Sequence, residues 1–155
     1  MTMPGKGRQK QKAQAAVSDS AANSQSFAGR YAFRFSGYSM GANVMPYYIV
    51  GLGIFELDGK GGLTGTQRSS ITALAGSQSS LTHSEFVLTG TYAFKADGTG
   101  TANILFKSES EQVRGGFDLV AAGADRFWMM SSGGTLLPTM TMTDEVTSGE
   151  AIKLP

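Results

Sequence analysis

Tyr47-Tyr48-Ile49-Val50-Gly51-Leu52-Gly53-Ile54-Phe55-Glu56-Leu57, followed at once by Asp58-Gly59-Lys60-Gly61-Gly62, is the stretch that decides the fold. Eleven residues rich in β-branched and aromatic side chains carry no helical period, and a Gly-rich turn closes them. Asp-Gly with further Gly behind it supplies the positive φ angles of a tight hairpin. The chain then returns through Leu63–Leu74, where Thr64, Thr66, Arg68 and Ser70 share a polar face. This is a β-hairpin, and its first strand is apolar on both faces. Tyr48, Val50, Leu52 and Ile54 lie on one face; Ile49, Gly51, Gly53, Phe55 and Leu57 lie on the other.

Working outward, the same grammar recurs. Upstream, Tyr31, Phe33 and Phe35 alternate with Ala32, Arg34 and Ser36 between Gly29 and Gly37. Downstream, Phe86–Lys95, the turn Asp97-Gly98-Thr99-Gly100 and Thr101–Lys107 form a second hairpin, after a polar loop over Ala75–Ser84. Arg114–Ala122 and Asp125–Ser131 form another about Gly123, and Leu136–Val146 closes the set. Phe-x-x-Asp-Gly-x-Gly occurs twice, from Phe55 and from Phe94, and Gly-x-Tyr-Ala-Phe occurs twice, from Gly29 and from Gly90. About eight sequential strands with no intervening helix predict an all-β, up-and-down antiparallel barrel.

The 155 residues suit one core rather than two. Residues 1–26 lack Ile, Leu, Phe, Tyr and Trp and are rich in Lys, Gln, Ala and Ser, so they cannot offset the entropy of ordering. The expected organisation is a disordered basic tail over 1–26, a barrel over 27–147 and a C-terminal tail over 148–155. Lys6, Arg8, Lys10 and Lys12 stand against Asp19 in the tail, a net of +3 within a chain of +1, so the remainder carries −2. That field is too weak to argue for nucleic acid. The basic cluster reads as a solubilising tail.

There is no cysteine, which excludes disulfides and thiolate metal sites. No apolar run approaches the ~20 residues of a membrane helix. Thr64, Arg68 and Lys95 on outward faces argue against insertion of a barrel. The basic N-terminus has no apolar segment behind it, so it does not read as a signal peptide. The cytoplasm is therefore favoured, and a cleaved leader would leave secretion or the periplasm open.

Gly29-Arg30-Tyr31 at the entry of the first strand, followed by sequential hairpins over residues 28–146, resembles calycin-type and allene-oxide-cyclase-like barrels. It is also similar to small bacterial proteins with repeated Gly-x-Tyr and Asp-Gly-x-Gly elements. The resemblance implies an interior able to hold a small apolar molecule. It carries over no catalytic residue.

The chemistry-bearing residues are sparse. His83 is the only histidine and lies among serines and threonines in the polar loop, without the carboxylate a catalytic triad requires. Asp58 and Asp97 lack the further acidic ligands of a calcium loop. Glu109 with Glu111, and Asp144 with Glu145, sit in exposed Ser/Thr-rich contexts. No catalytic residue, metal site or cofactor is expected.

Met129, Met130, Met140 and Met142 group near Phe127 and Trp128, and Gly51 and Gly53 leave room on the facing strand. A loop bearing Met40, Val44 and Met45 would lie over the barrel mouth. Two arrangements fit: an ordinary packed core, or a cavity for a small apolar ligand lined by Tyr31, Phe33, Phe55, Tyr92, Phe94, Trp128 and Met129. A non-enzymatic ligand-binding barrel is the leading expectation. The second is a homo-oligomer or protein-interaction module. If Ile49, Phe55 and Leu57 point inward, Tyr48, Val50, Leu52 and Ile54 form an external apolar stripe of the kind that marks an interface. A cyclase or isomerase is third and would need a buried polar pair inside the barrel.

Overall fold

A computed structural model of the chain describes residues 24–39, 46–75, 78–137, 141–143 and 145–155. They build nine strands: β1 (Gly29–Ser39), β2 (Tyr47–Leu57), β3 (Gly62–Ala75), β4 (Gln78–Phe94), β5 (Thr99–Lys107), β6 (Gln112–Ala121), β7 (Arg126–Leu137), β8 (Thr141–Thr143) and β9 (Glu145–Lys153). Each of β1 to β7 pairs antiparallel with the next, and β9 bridges β7 to β1. The ring therefore closes as an eight-stranded up-and-down barrel. The short β8 pairs with β7 along the same edge as β9, ahead of it in the chain. Closure removes the free edges that an open sheet would expose.

Period two governs the barrel wall. On β2, Ile49, Phe55 and Leu57 are buried, while Tyr48, Val50, Leu52 and Ile54 face out. Tyr31 and Phe33 of β1, Phe86, Leu88, Tyr92 and Phe94 of β4, Ala102 and Ile104 of β5, Leu119 of β6, and Phe127 and Met129 of β7 fill the interior. A register shift at Gly116/Phe117 keeps β6 and β7 in step along the closing seam.

The turns at one end are those expected. Asp58 Oδ1 accepts from the Lys60 and Gly62 amides at 2.7 and 2.8 Å, with Gly59 and Gly61 at φ of 74° and 101°. Asp97 Oδ1 accepts from the amide and hydroxyl of Thr99 at 2.9 and 2.6 Å. These bonds hold both carboxyls below their ordinary range, through the Lys60 and Gly62 amides at Asp58 and the Thr99 side chain and amide at Asp97.

Three expectations need correcting. Residues 148–153 are not a tail: they belong to β9, which pairs with β1 through Tyr31↔Lys153 and with β7 through Trp128↔Glu150. The last wall strand is thus 145–153, not Leu136–Val146, and the barrel extends beyond residue 147. The supposed loop over Ala75–Ser84 is largely strand, since Gln78–Ser84 of β4 pairs with Ser69–Ala75 of β3. Finally, residues 24–26 form a helical turn with Ser24 buried, leading into Phe27, whose ring stacks on Phe94 at 4.0 Å. The rest of the expected tail, 1–23, lies outside the described residues, as does the loop carrying Met40, Val44 and Met45.

Candidate binding surfaces

The barrel interior is built first by aromatic rings. Tyr31, Phe55 and Phe127 meet at centroid distances of 5.2–5.9 Å, and Phe94 joins Phe127 at 5.6 Å. Offset and edge contacts of this kind add to the burial of the rings themselves. The Tyr31 hydroxyl donates to the Phe27 carbonyl at 3.0 Å. The Tyr92 hydroxyl donates to the Ser24 carbonyl and accepts from the Gly59 amide, both at 3.0 Å. Burial pushes Tyr31 up to about 12 and raises Tyr92 as well. The two Gly-x-Tyr-Ala-Phe units thus deliver paired tyrosines that fasten the N-terminal turn across one end of the barrel.

Of the seven side chains expected to line a cavity, Tyr31, Phe33, Phe55, Tyr92, Phe94 and Met129 are inward and buried. Trp128 is not with them. It is 50% exposed on the outer face of β7, between Val120 of β6 and Glu150 of β9. Period two explains it: with Phe127 and Met129 inside, Trp128 and Met130 must be outside. The expected methionine group accordingly divides, and the side chains of Met140 and Met142 lie outside the described ones.

Nor do Gly51 and Gly53 leave room. A Cβ on Gly51 would stand 2.2 Å from the Phe35 ring. A Cβ on Gly53 would meet the Thr66 carbonyl at 2.1 Å and the Phe33 ring at 2.7 Å. Two phenylalanines of β1 occupy the space that the glycines of β2 vacate.

A polar pair on β3 interrupts this interior. Gln67 and Ser69, inward neighbours on β3, are 4% and 3% exposed, and Gln67 Oε1 and Ser69 Oγ have no hydrogen-bond partner among the described residues. Gln67 lies across from Gly53 and Phe86, and Ser69 across from Gly51 and Ser84. Sequence reading passed over both, because Gln67 and Ser69 alternate with Thr66, Arg68 and Ser70 in a strand whose two faces look equally polar.

The outer wall is unusually apolar along β2 and β7. Tyr48, Val50, Leu52 and Ile54 are 38%, 39%, 63% and 39% exposed, and Tyr38 packs on Tyr48 at 5.0 Å. One cross-strand row runs Glu85, Arg68, Leu52, Arg34, Glu150 and Trp128. Arg34 pairs with Glu150 at 2.6 Å and Arg68 with Glu85 at 2.8 Å. A depression of about 1150 Å³ is lined both by members of this row, among them Arg34, Leu52 and Trp128, and by the inward Phe35, Gly51, Ser69 and Met129.

His83 sits on β4 rather than in a loop, and its Nδ1 is 2.8 Å from the Ser70 hydroxyl on β3. The pair is an exposed cross-strand contact at the directly opposed positions Ser70↔His83. Among the described residues no group of three or more His, Asp or Glu side chains is placed to hold a metal ion. Among them, too, no helix is long and apolar enough to cross a membrane.

Compared with known protein families, curated proteins and solved structures, the chain shows no match to any of the three.

Proposed function

We propose that this barrel is an assembly module whose outer apolar stripe packs against a second copy of the chain. The exposure of Tyr48, Val50, Leu52 and Ile54 along the whole of β2 carries the reading. A strand whose inner face is fully used has no folding reason to place four large apolar side chains in water. Tyr38 on the neighbouring β1 extends this face, whereas Val120, Trp128 and Met130 on β6 and β7 lie around the wall from it.

The charges favour a copy of the same chain over a charged partner. Arg34 and Arg68 flank the stripe, and each is neutralised within its own chain by Glu150 or Glu85. The face therefore presents no unbalanced field to attract a polyanion or polycation, and two such faces meet without net repulsion. A closed dimer formed by like faces satisfies both stripes at once.

Sedimentation velocity over a range of concentrations tests this. The native chain should sediment as a dimer, and Leu52→Glu as a folded monomer. A native chain that stays monomeric at every concentration overturns the reading.

A second reading, a small ligand held inside the barrel, draws support from the calycin-like resemblance and from one structural observation. The unpartnered Gln67 Oε1 and Ser69 Oγ lie beside the aromatic rings of the interior. Sites for small molecules typically combine apolar walls with a few such polar groups.

A further inference from the structure

We infer that the layer of the barrel around Gln67 and Ser69 accepts a small, uncharged aromatic molecule bearing a hydroxyl or N–H donor. The inference rests on the interior-ligand reading and gives that site its ligand class.

The argument starts from hydrogen bonding. A buried polar atom left unpaired is costly, and native proteins keep few of them. Here two occur on successive inward positions of one strand, both more than nine-tenths buried. Gln67 Oε1 is an acceptor, and the Ser69 hydroxyl can accept or donate. What completes the pair must therefore supply at least one donor proton.

Shape and charge narrow the class further. Phe86 stands directly across from Gln67 on β4, the Phe33 ring covers Gly53 on its other side, and the Phe35 ring covers Gly51 beside Ser69. Phe106 adjoins Phe86 edge-on at 6.4 Å, and Phe117 adjoins Phe106 at 6.1 Å. Phe35, Phe106 and Phe117 are only partly buried, unlike the rings at the Phe27 end, so this layer is the less tightly sealed part of the core. Aromatic walls favour a flat apolar body. Among the described residues the cations near this layer face away from it, Lys107 being exposed at an outward position of β5. Arg34 and Arg68 alternate outward, exposed and already paired with Glu150 and Glu85. A carboxylate would enter unpaired, at a large desolvation penalty.

The experiment compares 4-methylphenol, toluene and 4-methylbenzoate, using amide shifts of β2, β3 and β4 and the melting temperature of the full chain. The inference expects 4-methylphenol to perturb Gln67, Ser69 and Phe86 and to bind about tenfold more tightly than toluene, with 4-methylbenzoate inert. Gln67→Leu should erase the preference for 4-methylphenol while raising the melting temperature, because it removes an unpaired buried acceptor. Ser69→Ala, a smaller change, should weaken the preference without loss of fold. If toluene and 4-methylphenol bind inside alike, the ligand class is wrong though the interior reading survives. If no probe reaches the interior, and a crystal grown with 4-methylphenol shows only water between Gln67 and Ser69, both fail together.

Discussion

The hydroxyl of Tyr92 donates to the carbonyl of Ser24, 68 positions earlier in the chain, at 3.0 Å. The same oxygen accepts the amide of Gly59 at the tip of the β2–β3 turn. One phenol therefore ties the N-terminal turn, the first hairpin and β4 together, in a part of the barrel where water does not reach. Tyr92→Phe keeps the ring and removes the oxygen, taking away the acceptor of the Gly59 amide and leaving the Ser24 carbonyl with the Phe27 amide at 3.3 Å. The expected loss is about 1–3 kcal/mol in urea denaturation, with the Gly59 amide losing protection from hydrogen exchange.

The glycines of β2 separate two kinds of close approach. At Gly51 the three atoms nearest an added Cβ belong to the Phe35 ring; at Gly53 the nearest is the main-chain carbonyl of Thr66. Gly51→Ala should cost about 1–3 kcal/mol as an overpacking change, and Phe35→Leu in the same molecule should recover much of that. Gly53→Ala should be at least as harmful, and shortening Phe33 should not relieve it, because a main chain cannot withdraw as a ring can. A double-mutant cycle at each position distinguishes the cases.

Much of this architecture is legible in the residues themselves, and the failures have definite causes. Asp58-Gly59 and Asp97-Gly98 announce their turns because few residues other than glycine adopt their backbone angles. β9 was hidden because its inward side chains are Thr147, Gly149 and Ala151: an alternation of small residues that leaves no apolar signal. Gly149 has no room for a side chain, since a Cβ there would meet the Arg34 carbonyl at 2.1 Å and the Phe35 Cβ at 2.8 Å. The run Phe127-Trp128-Met129-Met130 is apolar at every position, so composition could not say which pair faces water. The glycines of β2 showed where side chains are missing, but not which rings from β1 enter the gap. The Gln67–Ser69 pair went unseen because its strand is polar on both faces, and only closure of the barrel makes one of those faces the inside.

Trp128 offers an internal reporter for the assembly reading. It is the only tryptophan in the chain and is half exposed on β7. It is separated from the β2 stripe by the Arg34–Glu150 pair. If the interface spans β2 to β7, its fluorescence should shift to the blue as concentration rises, in step with sedimentation, and Leu52→Glu should abolish the shift. A dimer that forms without any change in Trp128 emission would confine the interface to β1, β2 and β3.

Alkaline titration should expose the sealed end of the barrel. Burial pushes the Tyr31 hydroxyl from 10.0 up to about 12, with the charges of Tyr92 and Asp125 adding to it. The folded state thus holds the Tyr31 proton more tightly than the unfolded state does. The resulting contribution to stability is complete below pH 10.0 and is lost progressively as pH climbs from there through about 12. Melting temperatures recorded across that window should fall, and the tyrosinate absorbance that belongs to Tyr31, read as the difference from Tyr31→Phe, should appear only with unfolding. Tyr31→Phe removes the bond to Phe27 and should lower stability at neutral pH, yet flatten the alkaline decline. Part of the slope should persist, since Tyr92 is raised for the same reason. A variant whose decline is as steep as that of the native chain would assign the alkaline sensitivity to groups other than Tyr31.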